Sequence, residues 1–221
     1  MLAKRISDIV ISLLLIIVTL PVMAFVAILI RLESSGPAIF RQTRVGENRR
    51  RAGAGGRRDG ADFPRKREHN LGGKPFTMFK FRSMVQNAEE LLPCLVDYGD
   101  LDEPVYKLHD DPRVTRVGKV LRKTSLDELP QLFNVLKGDM TLVGPRPEAM
   151  DVVELYDEMC KRRLECRPGL TGLQQVNCRG TTSMQERLKY DLHYIKNRSL
   201  FLDFAILVRT VSVVFLGTGA Y

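Results

Sequence analysis

Residues 9–30 read IVISLLLIIVTLPVMAFVAILI and contain no ionisable side chain. At about 1.5 Å per residue, a helix of this length matches the roughly 30 Å hydrocarbon core of a bilayer. Lys4 and Arg5 precede the run, and Arg31 follows it. The sequence therefore predicts a membrane-embedded helix close to the start of the chain.

Three interpretations of this run are open. A cleaved signal peptide would use Lys4 and Arg5 as its basic start and residues 22–24 as its cleavage site, but the apolar run continues to residue 30. A helix that spans the bilayer is the second interpretation. The third is a re-entrant helix, which is broken at Pro21 and returns to the face that it entered.

Two features favour re-entry. Pro21 lies near the midpoint of the run, where it removes a backbone donor and forces a kink. Basic residues flank both sides, so the positive-inside rule assigns no orientation to a spanning helix. The opened backbone needs polar partners, for which Ser12 and Thr19 are candidates. We expect a membrane-embedded segment over residues 1–37 and a separate domain over residues 38–221.

The composition describes a basic, foldable chain. Of 221 residues, 34 are Lys or Arg and 26 are Asp or Glu, which gives a formal charge of +8. An apolar fraction of 44% excludes a fully disordered protein. The four cysteines show no C-x-x-C spacing, which argues against a zinc site or a disulfide scaffold. The excess positive charge indicates an anionic partner, either nucleic acid, lipid headgroups or a phosphorylated substrate.

Residues 47–74 form a basic, glycine-rich insertion. They include nine basic and four acidic residues, a net +5, and show neither helical nor strand periodicity. The segment is either a solvated loop without a role in chemistry or a basic arm on an anionic membrane or RNA. The second interpretation supports one alternative function, a membrane-anchored nucleic-acid-binding protein that uses residues 49–67. The sequence contains no recognition helix or aromatic stacking motif for that role.

The C-terminal stretch is apolar again. Residues 200–216 read LFLDFAILVRTVSVVFL and contain Asp203 and Arg209, which argues against a clean span. We expect an interfacial helix over residues 200–217. The predicted fold is α+β and mainly helical: a monotopic membrane protein with a re-entrant helix, a small β-hairpin and interfacial amphipathic helices.

An acidic pair, Asp127 and Glu128, lies in the stretch with the most candidate site residues, GKVLRKTSLDELPQLFNVLKGDMTLVGPRP over residues 118–147. Ser125-x-x-Glu128 has the spacing of a capping box, which is the structural explanation of the pair. Pro130 lies too deep in a helix that would be capped at Ser125, so the helix either begins near Pro130 or bends there. In both cases the pair lies at a helix end, where the dipole favours ionised carboxylates.

Basic residues accompany this pair. Residues 140–143 predict a short strand, and two prolines fix the backbone around Arg146, so its guanidinium is presented at a small entropic cost. Alternation in residues 80–84 would align Lys80 and Arg82 on one face of a strand. An arginine near two carboxylates suggests a phosphate-handling site.

The last third of the domain contains turn-rich and helical patterns. Residues 167–172 predict a turn, and residues 173–176 predict a strand. A helix is expected to begin near Ser183 with Glu186 in its cap. Asp191 on that helix is expected to be solvated.

Together these segments resemble the bacterial sugar transferase family, the monotopic phosphoglycosyl transferases. The resemblance covers nearly the whole chain. Its motifs are GPAIFRQTRVG, GKPFTMFKFRSM, DPRVTRVGKVLRKTSLDELPQLFNVLKGDMTLVGPRP, RPGLTGLQQVNCRG and YDLHYIKNRSLFLD. It implies transfer of a sugar 1-phosphate from a UDP-sugar to polyprenol (undecaprenyl) phosphate with release of UMP, which initiates glycan synthesis. The resemblance also implies that the transfer passes through a covalent aspartyl-phosphosugar intermediate. A polytopic-type transferase without this intermediate is an alternative.

The resemblance also implies roles for individual residues. Asp127 is the expected nucleophile, Glu128 its partner, and both are expected ligands of Mg²⁺, which prefers carboxylate and phosphate oxygens. A carboxylate is already ionised at neutral pH and needs no base to attack phosphorus. The expected phosphate-binding residues are Lys80, Arg82, Arg122, Arg146 and Arg179, and Asp191 is expected to assist.

The resemblance places the protein in the bacterial inner membrane, with its catalytic domain on the cytoplasmic face. Expected partners are the UDP-sugar, polyprenol phosphate and membrane lipid, without nucleic acid. The two apolar terminal segments also leave surface for a homodimer.

Overall fold

The computed structural model describes residues 2–48, 72–91, 111–178 and 183–216. Most of the basic insertion therefore lies outside the described residues. Within them the protein is mainly helical, as the sequence predicts, and it contains two small two-stranded sheets.

The first helix, α1, extends over Leu2–Glu33 and contains the whole apolar run. Among the described residues it is the one helix that is long and apolar enough to cross a membrane. Its helical turns continue through Pro21, so the expected break does not interrupt the helix. The re-entrant geometry stays a prediction. Thr19 donates its hydroxyl hydrogen bond to the carbonyl of Leu15 within the same helix.

One face of α1 is buried against the domain. The residues of this face recur at helical spacing and begin with two polar side chains: Asp8, Ser12, Ile16, Met23, Val26 and Ile30. Most of the remaining apolar side chains of the helix are exposed. The helix therefore lies along the domain and presents an apolar outer surface.

Both ends of α1 bind the rest of the protein. Near the start, Lys4 Nζ lies 2.6 Å from Asp203 Oδ2, and the carboxylate of Asp8 accepts hydrogen bonds from the Leu142 amide at 3.1 Å and from the Thr141 hydroxyl. At the other end, the carboxylate of Glu33 accepts a hydrogen bond from a backbone amide of a later helix. Charged and polar residues thus hold both ends on one body.

Strands β1, Ile39–Val45, and β2, Pro75–Phe81, pair antiparallel, which confirms the predicted β-hairpin. The side chain of Asn134 binds the backbone of β2: it accepts a hydrogen bond from the Phe79 amide and donates one to the Thr77 carbonyl. The hairpin is thereby fixed against the helix that contains Asn134.

Three short helices and a 3-10 turn follow β2: α2, Ala88–Leu91; α3, Arg116–Thr124; the turn Leu126–Glu128; and α4, Gln131–Lys137. The predicted capping box is wrong, since Ser125 adopts a left-handed conformation with φ of 57° and its side chain makes no cap hydrogen bond. Of the two alternatives, the helix that begins near Pro130 is confirmed.

Strands β3, Thr141–Val143, and β4, Gly169–Thr171, pair in parallel. The predicted strand at residues 140–143 is confirmed, but the one at residues 173–176 is wrong, because α7 occupies Leu173–Asn177. Strand β4 lies instead within the predicted turn. Gly169 allows it there, because a Cβ at this position would lie 2.1 Å from the amide nitrogen of Gly144.

The remaining elements complete the domain: α5, Met150–Glu154; α6, Glu158–Lys161; a 3-10 turn, Arg162–Glu165; α8, Met184–Asn197; and α9, Leu200–Leu216. Ser183 caps α8 through the Glu186 amide, as predicted. Asp191 is buried rather than solvated, because it pairs with Arg163. Helix α9 forms as predicted and exposes Phe201 and Phe204.

Candidate active site

The acidic pair lies on the 3-10 turn between α3 and α4. Helix α3 ends where the Ser125 amide bonds back to the carbonyls of Leu121 and Arg122. Leu126 and Leu129 pack against the buried clusters. The carboxylate of Glu128 contacts β2 and the loop that follows β3.

Two cations hold the carboxylate of Glu128. Its Oε1 lies 3.0 Å from Lys80 Nζ and 3.1 Å from Arg146 Nη2. Burial alone would raise the pKa of Glu128, but the positive charges of Lys80 and Arg146 outweigh it and lower this pKa to about 2. Glu128 is therefore fixed in position and ionised.

Asp127 has a different environment, although it is adjacent in sequence. Within the described part of the chain its carboxylate accepts no hydrogen bond. Burial raises the pKa of Asp127, and the neighbouring charge of Glu128 raises it further, while Lys80, Arg146 and Arg122 act in the opposite direction. Glu128 is thus held by ion pairs with two cations. Asp127 lies near the same cations but accepts no hydrogen bond from the described residues.

Arg122 and Arg44 extend the basic surroundings. Arg122 donates from Nε to Ser83 Oγ at 3.0 Å, and its positive charge interacts with Asp127. Arg44 lines a small cleft together with Lys80 and Arg146. The sequence did not indicate Arg44. The register pairs Phe40 with Lys80, and Arg44 lies four residues after Phe40, so Arg44 and Lys80 share one face of the hairpin. This register is not evident from the sequence.

The structure does not bring every candidate to the acidic pair. Arg82 is buried at the C-terminal end of α1, where its guanidinium donates to the backbone carbonyls of Ser34 and Ser35. Asp191 does not contact the acidic pair: its Oδ2 lies 2.8 Å from Nε of Arg163. Arg163 in turn contacts the carbonyl of Arg146. Arg179 lies outside the described residues.

The donor chemistry of the pair fits Mg²⁺. The described residues contain no cluster of three metal-ligating side chains, but Mg²⁺ is commonly held by one or two carboxylates together with substrate phosphates. Both cations contact Oε1 of Glu128, and the Asp127 carboxylate has no hydrogen bond in the described part of the chain. Asp127 and Glu128 could therefore hold the ion.

Comparisons with known proteins show which sequences this chain is similar to. The profile described as bacterial sugar transferase matches residues 1–53 and 57–217. Galactosyl transferase CpsE of Streptococcus agalactiae is 41% identical over 221 residues, which is 100% of this chain and 44% of the relative. Undecaprenyl-phosphate galactose phosphotransferase of Salmonella typhimurium is 41% identical, over 99% of this chain and 41% of its own length.

A third relative has nearly the length of this chain. Exopolysaccharide production protein ExoY of Sinorhizobium fredii is 36% identical over 99% of this chain and 88% of its own length. The chain thus spans less than half of the first two relatives and most of the third.

Proposed function

The chain belongs to the bacterial sugar transferase family, and from that premise we propose that it transfers a sugar 1-phosphate from a UDP-sugar to polyprenol (undecaprenyl) phosphate and releases UMP. Two relatives are named for undecaprenyl-phosphate transfer of galactose and of glucose. The observation that carries the proposal is the asymmetric acidic pair, with Glu128 held by two cations and Asp127 left to react.

In the first displacement, an oxygen of Asp127 attacks the phosphorus that bears the sugar. A carboxylate–phosphorus bond forms, the phosphoanhydride bond breaks, and its electron pair leaves with UMP. Lys80, Arg122 and Arg146 reduce the repulsion between the carboxylate and the diphosphate and stabilise charge on the departing phosphate. Mg²⁺, held by Asp127 and Glu128, would supply further charge neutralisation.

In the second displacement, an oxygen of polyprenol phosphate attacks the same phosphorus. The new phosphoanhydride bond forms, and the bond to Asp127 breaks, which regenerates the carboxylate. The covalent aspartyl-phosphosugar intermediate predicts ping-pong kinetics. Cations around the cleft, including Arg44, would attract the second phosphate just as they attract the first.

A monotopic arrangement at the inner membrane, with the domain on the cytoplasmic face, completes the proposal. It is supported by the attachment of both ends of α1 to the same body and by the exposed apolar surfaces of α1 and α9. A domain on the membrane surface would meet a soluble nucleotide sugar on one side and a lipid phosphate at the headgroup level on the other.

The direct test is a UMP-release assay on the full chain with polyprenol phosphate and a panel of UDP-sugars. We expect release with at least one sugar, loss of release in Asp127→Asn, and full release in the control Asp157→Asn, whose asparagine still caps α6. No release with any UDP-sugar would contradict the proposal.

A second assay separates the covalent mechanism from direct transfer between the two substrates. Without lipid acceptor, the covalent mechanism allows labelled UMP to exchange into the UDP-sugar, because the first displacement is reversible. Direct transfer gives no exchange under these conditions.

A further inference from the structure

Arg163 lies in the 3-10 turn Arg162–Glu165, outside the acidic pair, and its side chain is 3% exposed. Its guanidinium bonds to four groups. Nε lies 2.8 Å from Asp191 Oδ2, Nη1 lies 3.3 Å from Glu148 Oε1 and also donates to the Tyr156 hydroxyl, and Nη2 lies 3.4 Å from the carbonyl of Arg146. Two of these groups belong to the loop that contains Arg146.

The loop of residues 145–148 is fixed on several sides. The Gly169 amide donates to the carbonyl of Pro145, and the Val45 amide donates to the carbonyl of Glu148. Arg163 adds a hydrogen bond to the carbonyl of Arg146 and one to the side chain of Glu148. Through Asp191 it also connects the loop to α8.

Arg146 depends on such support. Its side chain is 44% exposed, yet Nη2 must stay 3.1 Å from Glu128. A long exposed side chain loses much entropy when it is held in one geometry, and a backbone that is already fixed reduces this cost. Burying the charges of Arg163 and Asp191 costs free energy, and apolar side chains of similar volume would stabilise the fold equally well. Stability of the fold therefore does not explain this buried ion pair.

We propose that Arg163 is a positioning residue for the transfer reaction: it fixes the backbone of the Arg146 loop so that the Arg146 guanidinium reaches Glu128. Arg163 itself touches no reacting atom. The inference rests on the proposed function, since it assigns a role within that site. The planar fork of an arginine can bind Asp191, Glu148 and the loop carbonyl together, whereas a lysine ammonium cannot reach all three.

A double-mutant cycle on the full chain tests this proposal. Arg163→Lys and Arg146→Lys are made singly and together, and kcat/KM for UMP release is measured for all four proteins. The control is Val153→Ala, made in both backgrounds, which weakens the buried cluster of Val45, Val152, Val153, Tyr156 and Leu164 but removes no hydrogen bond or ion pair to the loop. If Arg163→Lys does not fold, Asp191→Asn takes its place in the same cycle.

Because Arg163 acts through Arg146, we expect Arg163→Lys to lower kcat/KM about tenfold in the wild type and less than about twofold beside Arg146→Lys. Val153→Ala should lower the melting temperature and have the same effect on kcat/KM in both backgrounds. An equal loss from Arg163→Lys in both backgrounds would overturn the inference and assign Arg163 a purely structural role. A wild type that releases no UMP would instead refute the proposed function.

Discussion

Asp127 and Glu128 share one 3-10 turn, but different neighbours surround their carboxylates. Lys80 and Arg146 both contact Glu128, which lowers its pKa to about 2. Glu128 is therefore ionised at neutral pH. Burial is the largest influence on Asp127 and raises its pKa. At neutral pH a raised aspartate pKa gives a more basic and hence more nucleophilic carboxylate, provided that it stays ionised.

The pH dependence of the reaction should report this raised pKa. Asp127 attacks only when ionised, so kcat/KM should fall as the pH decreases through its pKa, which lies above the usual 3.8. Arg122→Gln removes a charge that lowers this pKa, so the acidic limb of the pH profile should move to higher pH. The matched control Arg116→Gln changes an exposed residue on the same helix and should leave the limb in place. An unmoved limb in Arg122→Gln would contradict the assignment.

The pKa of Glu128 depends on its two cations in the same way, but it starts below its ordinary value. Lys80→Met removes one of the two cations, so the pKa of Glu128 should rise from about 2 toward its ordinary 4.5. Because the pKa of Glu128 is lower in the folded protein than in the unfolded chain, its ionised form stabilises the fold above pH 4.5, and this stabilisation disappears as the pH falls toward 2. Titration of the ¹³C-labelled glutamate carboxyl signals measures the pKa in both proteins. An unchanged Glu128 pKa in Lys80→Met would contradict the observed ion pair.

Three of the cations that the motifs indicate, Lys80, Arg122 and Arg146, lie close to the acidic pair. Their role in binding phosphate stays a prediction. Arg82 has the same charge and a neighbouring place in the sequence, but its guanidinium binds the end of α1. Charge and spacing do not distinguish a phosphate ligand from a cap on backbone carbonyls, because both require the same donors. The fold alone decides between them.

Among the elements, α1 is attached by polar residues within an otherwise apolar helix. Asp8 is buried and accepts hydrogen bonds from the Leu142 amide and the Thr141 hydroxyl. Asp8→Ala leaves both donors buried without a partner, so it should destabilise the protein by about 2 kcal/mol. Thermal unfolding in detergent measures this, with Val10→Ala on the exposed face of α1 as the control. Equal melting temperatures for the two variants would show that Asp8 does not hold the helix.

The second sheet, β3 and β4, is the part of the fold that the sequence patterns predicted least well. Residues 173–176 have an ordinary strand composition, but the ladder ends at Thr171, whose partner is Val143. The strand that forms, β4, is flanked by Pro168 and Gly172, so its surroundings resemble a turn. It begins at Gly169 because the backbone there approaches Gly144 more closely than a side chain would permit. Helices α8 and α9 were predictable from local signals, namely a Ser183 cap and an apolar run.

The arrangement of the whole molecule at the membrane depends on α1. Its length and apolarity were evident in the sequence, and the structure adds that both of its ends attach to one body. Sequence could not show this, because the partners of Lys4 and Asp8 lie more than a hundred residues away along the chain.

Cysteine labelling tests this arrangement. In a background without the four native cysteines, Leu2→Cys places an exposed thiol at the start of α1, and Phe40→Cys places one after its end. A re-entrant or surface-lying helix predicts that a membrane-impermeant reagent labels both from the cytoplasmic side. Labelling from opposite sides would establish a spanning helix.

The most direct test of the account is covalent trapping of the sugar phosphate on Asp127. The full-length protein is incubated without lipid acceptor, together with the UDP-sugar that supports UMP release, radiolabelled in the sugar. We expect label to remain on the denatured wild type and on Asp157→Asn, to disappear when polyprenol phosphate is added before denaturation, and to be absent from Asp127→Asn. Label retained by Asp127→Asn would contradict the assignment of Asp127 as the nucleophile.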